Sequence, residues 1–395
     1  MVLEDVKIID LTRLLSGPYA TMMLSDLGAE VIKVETKTGD DSRHFGPPFI
    51  GDWSTYFISV NRNKRSISLN LKEKKGKEVF LKLIKDADVV VENFKPGTMD
   101  RLGLSYEVLK SKNPSIILAS ISGFGQKGKY SKKPGYDVLA QAMGGLMSVT
   151  GEKDGAPQKA GYSFADLGTG MWTAFGIMIA LWNRNKTGKG QWIDASLLDT
   201  IISWQTYLAS SYFATGKNPT PLGTEHPNIV PYQAFEASDG YIIIAIATDA
   251  MWNKFVNEIG IVELENSLYK KNSDRVQNRE ILLPILKNIF IKRTKKEWEE
   301  FFSELSIPVG PVNQLSDILN DDYVDERNMV INNYHSELGH VKTLGSPVQY
   351  NEIEKSIFTF PPKLGEDGTD ILLNLGYTEK EINLMRDQNI LHDNN

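Results

Sequence analysis

The chain has 395 residues, 41% of them hydrophobic and 24% charged, with a formal net charge of −6 and no cysteine. That length argues for two or three domains with separate cores, and the composition is that of a soluble globular protein. Missing thiols exclude disulfides, zinc ribbons and a cysteine nucleophile, and the acidic balance gives no whole-molecule field for nucleic acid. No stretch approaches the roughly 18 uninterrupted apolar residues of a membrane helix. The opening residues lack a signal-peptide pattern, so a cytoplasmic enzyme is expected.

From the N-terminus the pattern alternates strand and helix. Val6 to Leu11 reads as a short apolar strand, and Pro18 to Leu27 as a helix ending at Gly28. Val31 to Glu35 is a second strand, and Ser66 to Leu71 alternates with period two. Phe80, Leu83, Ile84 and Ala87 form one face of a helix over Val79 to Ala87. Asp88 to Glu92 and Ile116 to Ile121 read as buried strands of the parallel type. The alternation predicts a doubly wound α/β sheet.

Further on, Asp166 is a lone acid among small and apolar residues, just before an apolar run from Met171 to Trp182 that reads as a buried helix. An acid at that point is either a cap for free backbone N–H groups or a carboxylate kept ionised by the positive helix end. In the second case it could form covalent acyl intermediates. The residues alone leave both open. Gln191 to Ala214 predicts one more strand and a long helix, and Thr215 to Pro231 is a Gly, Pro, Asn and Thr-rich linker or lid. Tyr232 to Ala237, the turn Ser238-Asp239-Gly240 and Tyr241 to Ala247 signal a hairpin. Helices follow at Ile281 to Ile291 and Lys295 to Leu305. The tail from Leu364 to Asp370 leads into an amphipathic helix expected to pack on the first domain. The expected division is a large domain over residues 1–215, a smaller α+β domain over 216–325, and a segment over 326–395 returning to the large one.

Three other readings lack support. Gly123-Phe124-Gly125-Gln126-Lys127-Gly128 satisfies G-x-G-x-x-G after a strand, but the following residues are polar and end at Pro134 instead of opening a helix. No acid follows at the distance needed for a ribose, so a dinucleotide-dependent oxidoreductase is the weaker reading and a glycine-rich loop beside a substrate the stronger. The five histidines show no ligand spacing, so no metal site is expected, and no G-x-S-x-G elbow supports a serine hydrolase. His226 is the one histidine in a plausibly functional loop. Basic clusters at Asn61 to Arg65, Lys72 to Lys77 and Gln126 to Lys133 read singly as solvated helix and loop faces; several at strand ends in one domain would suit a small polyanion such as a nucleotide phosphate.

Taken in order, several segments resemble the class III (family III) CoA-transferases: Val31 to Glu35 with Gly39 to Arg43, Asn61 to Ser66, Val91 to Gly97, Gly135-Tyr136-Asp137, and Asp166 followed by Gly168. The resemblance runs over essentially the whole chain, including Ile307 to Val312 and Leu364-Gly365. It implies a Rossmann-like large domain plus a smaller α+β domain in an interlaced homodimer. It also implies transfer of CoA from a thioester to a free carboxylic acid, with no permanently bound cofactor and coenzyme A arriving as part of the substrate. The family's nucleophilic aspartate falls on Asp166, with oxyanion stabilisation expected from nearby backbone N–H groups. Its CoA contacts fall on Leu15, Ser16, Leu69, Asn70, Leu71, Lys72, Asn93, Phe94, Lys95, Arg101, Lys133 and Tyr136.

Departures narrow the expectation. Formyl-CoA transferases carry a glutamine at Leu15, a basic residue at Thr36 and a glycine-rich lid at Gly223 to Pro227, which speaks against formyl-CoA/oxalate activity. Acyl-CoA racemases of the same fold use a histidine at Tyr136 and a glutamate near Thr248. A tyrosine with its ordinary pKa of about 10 relays a proton poorly near neutrality, so racemisation is the weaker reading. A CoA-binding protein without turnover is disfavoured by the intact Asp166. The pattern is most similar to the glutarate and related dicarboxylate enzymes that use succinyl-CoA, with Arg43 and His226 as candidate substrate contacts. Arg43 could hold a distal carboxylate or serve in a structural ion pair.

Overall fold

The structure, a computed structural model, describes residues 1–352 and 358–392. The chain divides into two compact units. One comprises residues 1–146, 159–210 and 325–395, and the other 147–158 and 211–324.

The larger unit is built on β1 (Lys7–Asp10), α1 (Ser16–Ser25), β2 (Glu30–Glu35), the two-strand ribbon β3 (Phe49–Ile50) and β4 (Trp53–Ser54), α2 (Thr55–Val60), β5 (Lys64–Ser68), α3 (Lys74–Lys85), β6 (Val89–Glu92), α4 (Thr98–Arg101), α5 (Tyr106–Lys112) and β7 (Ile117–Ser122). It continues with α6 (Asp137–Met143), α7 (Phe164–Thr187), β8 (Trp192–Ser196) and α8 (Leu197–Ser203). Its six-stranded sheet runs β5-β2-β1-β6-β7-β8, and every neighbouring pair is parallel. Because side chains alternate across a strand, Ile9, Ile32, Ile67 and Val90 enter one core with Val79, Phe80, Leu83 and Ile84 of α3. Ile8, Val31, Val89 and Ile117 enter a second core with Leu24 of α1 and Ile177 of α7. A parallel sheet covered by helices on both faces is what the sequence pattern predicts.

Several element boundaries differ from the sequence reading for identifiable reasons. α3 begins five residues before Val79, because its first turn, apart from the buried Gly76, carries only polar lysines and gives no apolar period. Gln191 to Ala214 is not one strand and one long helix: α8 ends at Ser203, and after a break at Trp204 and Gln205 a separate α9 (Thr206–Thr215) starts, with Thr206 at φ +33°. The run from Met171 to Trp182 is helical but only half buried. Small residues of α7 (Gly168, Thr169, Gly170, Thr173, Ala174) point inward, while Met171, Trp172, Phe175, Ile179 and Trp182 are between 46% and 64% exposed. A methyl group on Gly170 would lie 2.6 Å from the Ser16 carbonyl oxygen, and one on Gly168 would strike the Trp204 ring. The missing side chains let α7 close on α1 and on the Trp204 segment.

The second unit contains the antiparallel sheet β11-β10-β9, from β9 (Tyr232–Ala237), β10 (Gly240–Ala245) and β11 (Val309–Pro311), with α10 (Asp249–Ile259), α11 (Asn272–Gln277), α12 (Arg279–Phe290), α13 (Lys295–Glu304) and α14 (Leu315–Leu319). Its core gathers Phe235, Trp252, Phe255, Phe290, Trp298 and Phe302. A capping box between Thr294 and Glu297 starts α13. The division along the sequence falls within α15 (Asp322–Glu326), and the larger unit resumes with the ribbon β12 (Val330–His335) and β13 (Gly339–Leu344), followed by α16 (Gly368–Asn374) and α17 (Glu379–Asp387). Ile371, Leu372, Ile382 and Met385 join the α3 side of the sheet core, and the Asn70 N–H donates to Ile390 O at 2.8 Å.

Candidate active site

All six strands point the same way, so the loops that follow them open along one edge of the sheet, where open α/β sheets hold ligands. That edge receives the segment after β1 with Leu15 and Ser16, the segment after β5 with Leu69 to Lys72, the segment after β6 with Asn93 to Lys95, and the loop after β7 with Lys133 and Tyr136. The topology therefore gathers candidate residues that lie far apart in sequence.

The loop after β1 is fixed by charges buried beneath it. Lys33 and Asp40 form an ion pair at 2.9 Å, Lys64 and Asp10 one at 3.0 Å, and all four side chains are fully buried. Lys33 Nζ donates to Thr12 O at 2.7 Å, Lys64 Nζ to Pro18 O at 3.0 Å, and the Leu14 N–H to Asp40 Oδ1 at 3.0 Å. Two cations balance two anions, so the set is neutral as a whole, which is the condition for keeping charge in a core. Burial pulls the Lys64 ammonium down to about 8 despite its Asp10 partner. The two lysines hold Asp10 well below the usual carboxylate range against the opposing effect of its burial. Leu14 is held at φ +68°, and the chain then enters α1 with Ser16 in its first turn.

Asp166 sits in the first turn of α7. It does not cap that helix. The backbone N–H groups of Ala165 and Asp166 donate instead to Asp137 Oδ1, at 2.8 and 3.2 Å. Asp137 opens α6 and takes a further bond on Oδ2 from Gln141 Nε2 at 2.6 Å. Both N–H groups are thus committed to Asp137, and neither is free to receive an oxyanion. Burial raises the Asp166 carboxyl to about 7, the negative Asp137 pushes the same way, and a hydrogen bond from the Ser16 side chain opposes them. The Tyr56 hydroxyl of α2 is pushed up to about 12, first by burial and then by the charges of Asp166, Asp40 and Asp137.

The remaining candidates divide into anchored and open groups. Asn93 bridges to the first loop, accepting the Arg13 N–H at 2.9 Å and donating to Arg13 O at 2.6 Å. The Phe94 N–H donates to Glu92 at 2.8 Å; burial raises that carboxyl to about 7 against the pull of its Ser120 and Phe94 hydrogen bonds. Leu69 is buried and Leu71 partly so, while Asn70 Oδ1 accepts the Lys72 N–H at 3.1 Å. Lys72, Lys95, Arg101, Lys133 and Tyr136 are exposed. Arg101 donates to Thr98 Oγ1 at 2.7 Å, and the Lys133 ammonium lies 4.7 Å from the Tyr130 ring centre.

Arg43 is held tightly. Its Nε and Nη2 donate to Glu35 at 2.8 and 2.7 Å, its Nη1 to Pro362 O at 3.1 Å, and its guanidinium stacks 3.8 Å over Phe57. It also lines a cavity of about 370 Å³ with Trp53, Phe57 and Lys363. His226 belongs to the second unit, where its Nδ1 accepts the Asn228 N–H at 3.1 Å and its ring meets Tyr232.

The glycine loop after β7 has left-handed Gly125 and Gly128, is held by the Gln126 N–H donating to Asp194 at 2.9 Å, and opens no helix before α6. A methyl group on Gly123 would sit 2.6 Å from the Gly135 Cα, so close backbone contact there sets the approach to Tyr136 and Asp137. The dinucleotide reading has no structural support, since a phosphate-binding fingerprint must lead straight into a helix N-terminus. Asp137 and Tyr56 are the site residues the sequence reading passed over. Asp137 lies inside a matching segment, next to Tyr136, but nothing in spacing marks a carboxylate that caps a helix starting 27 residues later.

The model of the CoA-transferase family III matches residues 3–368. The chain is 41% identical over 383 residues to the succinyl-CoA:glutarate CoA-transferase of Homo sapiens, covering 96% of this chain and 87% of that protein. It is 38% identical to the succinyl-CoA:mesaconate CoA-transferase of Haloarcula marismortui, covering 95% and 96%. Among solved structures, a CAIB/BAIF family protein from Brucella suis superposes with a TM-score of 0.84 at 40% identity, covering 94% of this chain and 98% of that one.

Proposed function

The chain belongs to the family III CoA-transferases, an acyl-CoA:carboxylate CoA-transferase, and we propose that it moves CoA from succinyl-CoA to a small dicarboxylate through a thioester on Asp166. The observation that carries the site assignment is the isolation of Asp166. It is a carboxyl in the first turn of a helix whose N–H groups another residue already caps, partly buried, and raised to about 7. Relatives named for succinyl-CoA with glutarate or mesaconate support the substrate class.

In the proposed sequence an Asp166 oxygen attacks the thioester carbonyl, the C–S bond breaks, and CoA leaves as the thiolate from a mixed anhydride. The thiolate attacks the Asp166 carbonyl, the anhydride C–O bond breaks, succinate departs, and an aspartyl-CoA thioester remains. The acceptor carboxylate displaces the thiolate from Asp166, and the thiolate then takes the acceptor acyl group, restoring the Asp166 carboxylate. Covalent catalysis of this kind conserves the thioester only if water is kept out. Lys72 and Arg101, exposed at the carboxyl edge, are proposed as contacts for the CoA phosphates.

A homodimer is part of the same reading. What supports it is the outer face of α7, where five large apolar residues stand open on a 24-residue helix, a patch of the kind that marks protein–protein contact. Replacing Trp172 and Phe175 with glutamate is expected to shift the protein from dimer to monomer in light scattering.

The function is tested by incubating the protein with succinyl-CoA and a panel of acids and reading the CoA esters by mass spectrometry. Dicarboxylate-dependent transfer is expected from the parent and none from Asp166→Ala. Transfer by Asp166→Ala at the parent rate would remove the nucleophile assignment.

A further inference from the structure

We infer that Asp137 is a positioning residue for Asp166: it fixes the first turn of α7 and sets a like charge beside the Asp166 carboxylate, driving that carboxylate toward its neutral, covalently bonded form. The inference rests on Asp166 being the nucleophile.

The geometry is a relay across three segments. Ala160 N–H donates to Gln141 Oε1 at 2.9 Å, Gln141 Nε2 to Asp137 Oδ2 at 2.6 Å, and Ala165 and Asp166 N–H to Asp137 Oδ1. Gln141 is fully buried. α6, the strand of loop before α7 and the start of α7 are thereby tied through one carboxylate. Helices are ordinarily capped by the residue just before them, yet Ser163 makes no side-chain cap bond here. A neutral cap such as serine or asparagine would serve the two backbone donors, but only a carboxylate also accepts from Gln141 on its second oxygen. Asp137 instead takes the N–H groups at the positive helix end and leaves Asp166, in the same first turn, without them.

The groups that face Asp166 are few. α6 presents Asp137, α1 presents the Ser16 hydroxyl, and α2 presents Tyr56. α8, also packed on α7, brings Thr200 to Thr169 at 2.8 Å, a neutral contact. No basic side chain acts on Asp166 among the described residues. Asp137 is therefore the charged side chain that acts on it among the described residues, and the sign is repulsive. When Asp166 attacks the thioester, its negative charge passes to the thioester oxygen and then to the departing sulfur. Asp166 becomes a neutral acyl group and the repulsion ends. The same charge raises the proton affinity of free Asp166 and, with it, its basicity as a nucleophile.

The experiment follows formation of the protein–CoA adduct from succinyl-CoA by intact mass between pH 5 and 9, in the parent, Asp137→Asn, Asp137→Glu and Asp166→Ala, with melting temperatures for each. Asparagine keeps an acceptor for the two α7 N–H groups and removes the charge, at the cost of the bond from Gln141, which the melting temperature monitors. The expected result is an acidic limb displaced downward by about one pH unit, with a lower rate on the plateau. Glutamate should return the limb toward the parent position. A limb that stays at the parent pH in an Asp137→Asn protein of parent melting temperature overturns the inference. If asparagine does not fold, Asp137→Ser, another neutral cap, carries the same comparison. Adduct formation by Asp166→Ala at the parent rate would instead sink the nucleophile assignment, so the two failures are told apart.

Discussion

A carboxyl held near 7 in the folded chain makes stability depend on pH, and Asp166→Asn isolates that dependence. The unfolded carboxyl titrates at 3.8 and the folded one at about 7. Between these values the folded protein binds a proton that the unfolded chain releases, so the contribution of Asp166 is fully present below pH 3.8 and is lost as pH rises through 7. At about 1.4 kcal/mol per unit, the ceiling above pH 8 is about 4 kcal/mol; because the group is only partly buried, solvent screening lowers this to about 2 kcal/mol. Asparagine keeps an acceptor for Ser16 and never ionises. The assay compares melting temperatures of parent and Asp166→Asn from pH 4 to 9. The variant should match the parent near pH 4 and gain about 2 to 5 °C by pH 8.5. A gap that is constant across pH, or a variant less stable at pH 8.5, would refute the reasoning.

Three other outcomes follow from the geometry. Gly170→Ala sets a methyl group 2.6 Å from the Ser16 carbonyl, so α1 must move; a loss of about 1–3 kcal/mol in urea unfolding with a drop in kcat is expected, and an unchanged midpoint would contradict the packing argument. Lys64→Met leaves Asp10, Asn61 and the Pro18 carbonyl without their shared donor, costing about 3–5 kcal/mol by equilibrium unfolding; the double variant with Asp10→Asn should recover part of it. Lys72→Ala and Arg101→Ala should each raise KM for the CoA ester by about two- to fivefold at unchanged kcat, an effect that fades in high salt; no change in KM at low salt removes them from the phosphate site.

The sheet was legible because its strands are short apolar runs between helical periods, and the tail because its amphipathic pattern needed a surface to cover. The faces of α7 were not. Glycine, threonine and alanine carry little hydrophobic signal, so periodicity gave no reason to place them inward and Trp172, Phe175 and Trp182 outward. That choice depends on how closely α1 and Trp204 approach, which is a property of the packed state. Asp166 was likewise ambiguous, since a cap and a reactive carboxylate ask for the same residue at the same place.

The structure separates those two roles by giving them to different residues. Asp137 takes the helix N–H groups, and Asp166, in the same first turn, is left with Ser16 and a repulsive neighbour. A carboxylate that capped the helix would be stabilised as an anion and would lose those bonds on acylation, a cost paid at each turnover. Relieved of the cap, Asp166 can change from carboxylate to anhydride to thioester while the start of α7 stays bonded. The buried pairs Lys33–Asp40 and Lys64–Asp10 hold the chain on either side of Ser16 in the same spirit, through the Thr12 and Pro18 carbonyls and the Leu14 N–H, which the chemistry does not touch.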